Sequence, residues 1–190
     1  MAWAAYDASV ARNTPIPPPT QPLTDEHVVL RRRQEDDLDA MVAASHDPET
    51  LRWLDDPPMD DEIRRTTLSR ADEAWRSGRA APMTIADAAT GRAVGTINLT
   101  FREEQVASLA YSVFPAYRGQ GIAPRAVQLM SEWALGELGV TQLLLEADAD
   151  NAASIRVAEK CGFQATGKTP VTDADGTVRH RLVFSLTPLM

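Results

Sequence analysis

Residues 117–123 read Tyr-Arg-Gly-Gln-Gly-Ile-Ala, and the fold of the whole chain is interpreted outward from this stretch. Residues 106–114 before it alternate apolar side chains as a strand does, and residues 123–138 after it space them as a helix does. A strand joined to a helix by a loop with two glycines is a typical anion-binding arrangement, because the unpaired amides at the start of a helix carry partial positive charge. The stretch therefore predicts a phosphate-binding loop, with the Arg118 side chain adding a charged contact.

Three other interpretations of the glycines were compared with this one. A P-loop needs Gly, four residues, then Gly-Lys and Ser or Thr, and the chain contains no such string. A dinucleotide loop fits Gly119 and Gly121 but needs a third glycine where Pro124 stands. A tight loop that enters a helix without any ligand is an alternative that the local string leaves open.

A second motif follows about thirty residues after the glycines. Residues 151–163 contain Asn151, Ser154 and the string Glu-Lys-Cys-Gly-Phe. With Ala-Tyr-Ser-Val at residues 110–113, the two motifs resemble the GNAT superfamily of N-acetyltransferases, in its RimJ/RimL-type branch. Both motifs stand in the family's order and separation, and weaker resemblance extends over about residues 23–186.

The resemblance implies an α/β fold of the GNAT type. Its central, mostly antiparallel sheet would have about seven strands, splayed at a parallel pair, with helices on both faces. The pair would be residues 106–114 and 142–147. The pattern predicts the other strands at 27–33, 83–86, 93–101, 163–169 and 181–187, and helices at 36–44, 60–77, 123–138 and 152–161. Asp60 is expected to cap the second helix, and residues 47–58 are interpreted as broken by Pro48, Pro57 and Pro58. Residues 1–22 contain five prolines and are interpreted as a flexible arm, so that a single domain would span 23–190.

The family's cosubstrate, acetyl-CoA, would enter between the splayed strands. The resemblance implies that Val113 and Phe114 bond its pantetheine arm, that main-chain amides of residues 118–123 hold its pyrophosphate, and that Asn151 contacts the arm or a bound water. Asn151 is also a plausible helix cap, and the two roles are compatible. The expected cofactor-binding residues are Val113, Phe114, Arg118, Gly119, Gln120, Gly121, Ile122, Ala123 and Asn151.

The implied reaction is direct attack of a neutral amine on the thioester, without an acyl-enzyme. Ser154 is expected to protonate the leaving thiolate, because RimL-like relatives carry serine there; Tyr111 is a weaker candidate. A merely polar residue in a first helical turn is the alternative for Ser154. Many other branches use a tyrosine one turn later, where this chain has Ala158.

The general base is left unassigned by the sequence. RimL-like proteins often carry a glutamate on the strand ahead of the loop, where this chain has Ser108 and Ala110. Glu146 and Asp148 alternate onto one strand face and could point toward the site. Trp53 and Trp75 are expected either to wall the acceptor pocket or to lie in the core.

The composition limits the class of protein. With 190 residues, 44% of them hydrophobic and 24% charged, the chain has the profile of a soluble globular protein. The apolar runs are too short for a bilayer and no signal-peptide pattern is present, so no membrane partner and a cytoplasmic location are expected. The net charge of −8 disfavours nucleic acid and mildly favours a cationic acceptor.

The cysteine and histidine residues do not suggest redox or metal chemistry. Cys161 is the one cysteine and is interpreted as a core thiol. His27, His46 and His180 show no ligand spacing, so no metal is expected. The prediction is thus an acetyl-CoA-dependent N-acetyltransferase acting on a protein N-terminus or a small amine. A catalytically silent CoA-binding module is the alternative, and a homodimer is left open.

Overall fold

The computed structural model describes residue 12 and residues 14–54, 56–172 and 176–188. The strands among these residues are β1 (Leu23–Thr24), β2 (Val28–Arg32), β3 (Ala80–Asp87), β4 (Ala93–Phe101), β5 (Val106–Val113), β6 (Gln142–Asp148), β7 (Gln164–Thr172) and β8 (Val178–Leu186). The helices are α1 (Leu38–Ser45), α2 (Pro48–Trp53), α3 (Asp61–Arg76), α4 (Ile122–Gly136) and α5 (Ala152–Lys160).

The strands form one eight-stranded sheet in the order β1-β2-β3-β4-β5-β6-β8-β7. Within the described residues every neighbouring pair is antiparallel except β5 and β6, which are parallel. That parallel pairing ends at Leu109 and Leu145, although β5 continues to Val113 and β6 continues to Asp148. The predicted fold and its splayed pair are confirmed. The strand that was not predicted is the two-residue β1.

The main core lies between one face of the sheet and α4. Leu109 and Leu145 on the central strands pack in one buried cluster with Val127, Met130 and Trp133, which recur at helical spacing on α4. A smaller cluster on the other face joins α1 to the end of β5. No helix in the described part of the chain is long and apolar enough to cross a membrane.

Helix α2 was not predicted, because the sequence around Pro48 was interpreted as broken. Pro48 occupies the first turn of the helix, where a missing N–H group removes no helical hydrogen bond. The Asp47 carboxylate caps the helix by accepting the Thr50 amide at 2.9 Å. Asp60 caps α3 in the same way, at 2.8 Å from the Ile63 amide, as the sequence predicted.

The described part of the N-terminal segment packs against the domain, which differs from the expected flexible arm. Ile16 is 3% exposed and donates its amide to the Trp75 carbonyl at 3.0 Å. Gly78, at φ +75°, leaves room for this segment, because a Cβ atom there would lie 2.4 Å from the Thr14 carbonyl. Residues 1–11 and 13 lie outside the described residues.

Candidate active site

A cleft opens where β5 and β6 diverge. Its cavity of about 700 Å³ is bounded by the ends of both strands, the first turns of α4 and α5, and α2. This volume lies within the range of small-molecule sites in proteins, about 300–1,000 Å³. The cleft is therefore large enough for a small-molecule ligand.

The free edge of β5 presents main-chain groups to this cleft. The Phe114 amide donates to the Val94 carbonyl of β4 at 2.9 Å. Because alternate residues of an antiparallel strand turn their amides to the same side, Ser112 also bonds β4, whereas Tyr111 and Val113 face the gap. Beyond Leu109 these two residues lack a pairing partner on β6. An extended ligand can bond them as an additional strand would.

The glycine loop lies at the mouth of the cleft. Gly119 and Gly121 both have φ +75°, and Gly121 forms the N-cap of α4. A Cβ atom at either glycine would meet nothing within 4 Å, so both face open space. The amides of Ile122 and Ala123 belong to the first helical turn, which has no intrahelical partners. The loop has the features that an oxyanion site requires.

The Arg118 guanidinium is engaged by α2. It forms ion pairs with Asp47 at 2.7 Å and Glu49 at 2.9 Å, and it also donates to the Thr50 hydroxyl. Its Nε donates to the Val113 carbonyl at 3.3 Å. The Thr50 amide, and next Arg118, lower the pKa of Asp47 below its usual value. The side chain predicted to contact phosphate thus joins the glycine loop to α2.

Two hydroxyl groups meet inside the cleft. The Tyr111 Oη and Ser154 Oγ atoms lie 3.1 Å apart. The Asn151 side chain caps α5 by accepting the Ser154 amide at 3.0 Å, which fixes the position of Ser154. Burial raises the pKa of Tyr111 to about 12, and the bond to Ser154 opposes this only in part. Tyr111 therefore keeps its proton at neutral pH, and either hydroxyl of the pair can donate to the other.

The two acidic residues on β6 both pair with arginines of β8. The exposed Glu146 carboxylate lies 3.9 Å from the Arg181 guanidinium. Asp148 is buried and forms a short ion pair with Arg179. Of the two carboxylates, Glu146 is thus the more loosely held and the more accessible.

Arginine also occupies the region where relatives often carry a glutamate. The Arg102 Nε donates to the Ser108 hydroxyl at 2.9 Å. Burial lowers the pKa of Arg102, and the charge of Glu146 partly opposes that effect. The cavity wall carries more cationic than anionic side chains, namely Arg79, Arg102, Arg118, Arg156, Lys160 and Arg181 against Glu49, Glu146 and Asp148. An acidic protein thus has a locally cationic cleft, which favours a polyanionic ligand.

The remaining sequence predictions have mixed outcomes. Trp53 lines the cleft, but Trp75 is 2% exposed and packs against Trp133, so Trp75 belongs to the core. Cys161 lies against the core with its thiol donating to the Pro124 carbonyl, and burial raises its pKa, which disfavours a nucleophilic thiolate. Among the described residues, no group of three or more His, Cys, Asp or Glu side chains could hold a metal ion.

Sequence analysis missed a polar stripe on the opposite face of the sheet. Thr96 and Asn98 are buried on β4, directly across from Ser112 and Ala110 of β5. This stripe borders a second cavity of about 310 Å³ under α1, α2 and α3, which adjoins the cleft at Ser112. The signal that could have revealed it is the alternation Thr-Ile-Asn-Leu-Thr at residues 96–100.

Comparison with known proteins assigns this chain to a family. A family model described as an acetyltransferase (GNAT) domain matches residues 27–164, which is well over half of the chain. A search of curated proteins found no match to the sequence.

Solved structures share the fold at low sequence identity. RimL, a ribosomal-protein alpha-N acetyltransferase in complex with coenzyme A, aligns with TM-score 0.74 and 18% identity over 88% of this chain and 98% of that chain. The microcin self-immunity acetyltransferase MccE, in complex with acetyl-CoA and AMP, gives 0.75 and 16% over 87% and 94%. A chimera of the Vibrio cholerae spermidine N-acetyltransferase SpeG and hSSAT gives 0.70 and 14% over 84% and 95%.

Proposed function

The chain belongs to the GNAT acetyltransferase family, and from that premise we propose that it is an acetyl-CoA-dependent N-acetyltransferase of the RimJ/RimL type. It would transfer the acetyl group directly to a primary amine of a protein N-terminus or of a small molecule, in the cytoplasm. One observation carries the proposal: the glycine loop opens onto a gap between strands whose inner end holds the Tyr111–Ser154 hydroxyl pair.

The described residues fit the proposed cosubstrate. The Arg118 amide, expected to contact the pyrophosphate, already donates to the Pro115 carbonyl, so the amides from Gly119 to Ala123 would hold the pyrophosphate. Val113 would bond the pantetheine arm together with Tyr111, which takes the place of the expected Phe114 because the Phe114 amide donates to Val94. The Val113 carbonyl already accepts from Arg118 at 3.3 Å, so its amide is the stronger candidate for that contact. Arg156 and Lys160 lie on the cleft wall, where they would attract the remaining phosphate charge of the cosubstrate.

The chemistry would proceed in one displacement. The lone pair of a neutral amine attacks the thioester carbonyl carbon, a C–N bond forms, the C–S bond breaks, and the electron pair leaves with sulfur. The nitrogen then gives up its surplus proton, which balances the proton that the thiolate takes up. Ser154, which lies 3.1 Å from Tyr111, would donate its proton to that sulfur and be reprotonated with the proton from the nitrogen. Tyr111, with its pKa raised to about 12, would reinforce Ser154 as a neutral donor.

The amine must first lose a proton. An α-amine with a pKa of about 7.7–8.0 needs only about 1 kcal/mol for this at pH 7, whereas a lysine-like amine near 10.4 needs about 4–5 kcal/mol. A water chain would serve the first kind of amine, and a carboxylate is needed for the second. Glu146 is the best-placed candidate for a base, because it is exposed on the cleft wall.

A thiol-release assay with acetyl-CoA tests the proposal. Wild-type protein and Ser154→Ala would be incubated with N-terminal peptides, amino acids and polyamines, and calorimetry would measure acetyl-CoA binding to both proteins. We expect acetyl-CoA to bind equally to both and at least one amine to be acetylated, with the rate lowered in Ser154→Ala. Absence of acetyl-CoA binding at millimolar concentration would overturn the proposal.

A silent CoA-binding module is the second candidate. The pairing of both β6 carboxylates with arginines favours it, because neither is an unpaired base. This candidate predicts tight acetyl-CoA binding with no thiol release from any amine. Turnover that falls in Glu146→Gln would exclude it.

A further inference from the structure

Three charged side chains line the second cavity, Arg33, Arg70 and Asp56, and Arg33 has no ion-pair partner among the described residues. Arg33 lines this cavity and donates Nη2–H to the Asn98 Oδ1 atom at 2.9 Å. Its Nε is buried and has no hydrogen-bond partner. No carboxylate in the described part of the chain forms an ion pair with it. Burial lowers the pKa of Arg33 to about 10, and the charge of Asp37 partly opposes this.

The acid whose charge acts on Arg33, Asp37, is already engaged by other donors. The Asp37 carboxylate accepts two bonds from Arg31, both at 2.8 Å, and a third from the Thr84 hydroxyl at 2.7 Å. A buried guanidinium without an anion is unfavourable, because its lost hydration is not replaced. An anion that entered the cavity would restore that interaction, and a carboxylate matches the planar guanidinium with two parallel hydrogen bonds.

The cavity lies next to the site of acetyl delivery. Asn98 pairs with Ala110, the neighbour of Tyr111, on the adjacent strand, and adjacent strands are about 4.8 Å apart. Thr50, Leu54 and Ser112 line both the second cavity and the cleft. A molecule anchored at Arg33 could thus extend an amine toward the end of the splayed pair.

The rest of the wall is largely apolar. Met41, Met59 and Phe114 lie around the cavity, and its volume of about 310 Å³ is at the low end of ligand sites. An amino-acid-sized molecule with an apolar body fits these dimensions better than a peptide chain does.

We propose that Arg33, positioned by Asn98, binds the carboxylate of the acceptor, and that the acceptor is a small amino acid with an apolar side chain. This inference rests on the proposed acetyltransferase function. It assigns the second cavity as the acceptor subsite. The overall charge of −8 had favoured a cationic acceptor, but exposed charges more than about 8 Å away are largely screened by physiological salt. The charges that line the cavity, Arg33 and Arg70 against Asp56, therefore govern recognition.

Matched acceptors that differ only in the carboxylate test the inference. Leucine and leucinamide, and methionine and methioninamide, would be compared by thiol release. We expect kcat/KM for each acid to exceed that of its amide at least tenfold in the wild type. Arg33→Gln should remove the preference, with acetyl-CoA affinity unchanged. Asn98→Asp should also remove it, because it supplies the guanidinium with an internal carboxylate while the cation stays in place.

Arg64→Gln provides the control, since Arg64 pairs with Asp39 on the exposed surface and does not line the cavity. Acids and amides that react equally in the wild type would overturn the inference and leave the acetyltransferase function intact. So would a peptide N-terminus that is preferred to every free amino acid. If acetyl-CoA binds but nothing turns over, calorimetric binding of the same acid and amide pairs to wild type and Arg33→Gln decides the inference separately.

Discussion

The two sides of the active centre are assembled in different ways. The side proposed to bind the cofactor comes from one continuous segment, β5 through the start of α4, with Asn151 and Ser154 added about thirty residues later. The side proposed to bind the acceptor depends on residues brought together from far apart. Arg33 and Asn98 are separated by 65 positions, and Arg118 and Asp47 by 71.

The difference shows where function can be inferred from local pattern. A phosphate loop needs particular backbone angles, and these are encoded by glycines within a few residues. An acceptor pocket needs only that suitable side chains converge, and many sequences satisfy that. We therefore expect the cofactor side to be easier to infer from sequence than the acceptor side, on which the choice of substrate would depend.

The largest effect is expected where the two sides meet, at the Tyr111–Ser154 pair. Ser154→Ala should lower kcat about 100-fold, the lower end of the range for loss of a proton donor, and Tyr111→Phe about tenfold. The double variant should lose clearly less than the product of these two factors. Because the two oxygens are 3.1 Å apart, the effects should not be additive. Single-turnover rates of the wild type, the two single variants and the double variant give the coupling energy between the two hydroxyls. Full additivity would show that the hydroxyls act independently.

Substitution in the glycine loop should give the next largest effect, and it tests the cofactor side alone. Gly121→Ala forces a side chain into the left-handed region, which costs about 1–2 kcal/mol, and should weaken acetyl-CoA about tenfold or more by calorimetry. Gly139→Ala is a matched control, because Gly139 follows α4 at φ +70° and its Cβ atom would also meet open space. Equal loss of acetyl-CoA affinity in both variants would contradict a phosphate role for the loop.

Arg118 should give a smaller effect that tests whether the two sides are independent. Arg118→Gln releases α2 from the loop and should raise the acceptor KM a few-fold, since partly exposed ion pairs contribute about 0.2–1 kcal/mol. Arg125→Gln removes the similar pair with Asp25 at 2.7 Å elsewhere on α4 and serves as the control. An unchanged acceptor KM would show that α2 is held without this pair.

The smallest effect concerns stability at high pH. The folded pKa of Tyr111 is about 12, above the ordinary value of 10.0, so the neutral form is favoured in the folded state. This contribution is complete below pH 10 and is lost as pH rises toward 12, by about 1 kcal/mol at pH 11. Denaturant unfolding of wild type and Tyr111→Phe at pH 8 and pH 11 should show the wild type losing more stability. Equal losses of stability in the wild type and in Tyr111→Phe would contradict the burial of the Tyr111 hydroxyl.

Several features could be predicted from the sequence because their cause is local. Asp60 and Asn151 are caps three residues from the amides they accept, and the glycine loop separates a period-two segment from a helical one. Helix α2 was missed although its signal is local, because Pro48 was interpreted as a breaker rather than as a first-turn residue.

Other features could not be predicted, because they depend on convergence in three dimensions. The Arg118 side chain was assigned to phosphate on the strength of its neighbours in the sequence, but acidic residues of α2 approach it from 69 and 71 positions away. Arg33 follows Arg31 and Arg32 without any distinguishing pattern. Only the folded sheet separates the arginine that binds Asp37 from the one that is left without an anion.

The divergence of β5 and β6 also has a mechanical consequence. Strands β1 to β5 and strands β6 to β8 are joined along the sheet by four residue pairs, from Val106 with Gln142 to Leu109 with Leu145. The beginning and the end of the sheet belong to different halves, so tension applied through the chain ends would load this short seam and the helix α4 that spans it. A molecule bound in the gap and bonded to both halves would strengthen the connection between them.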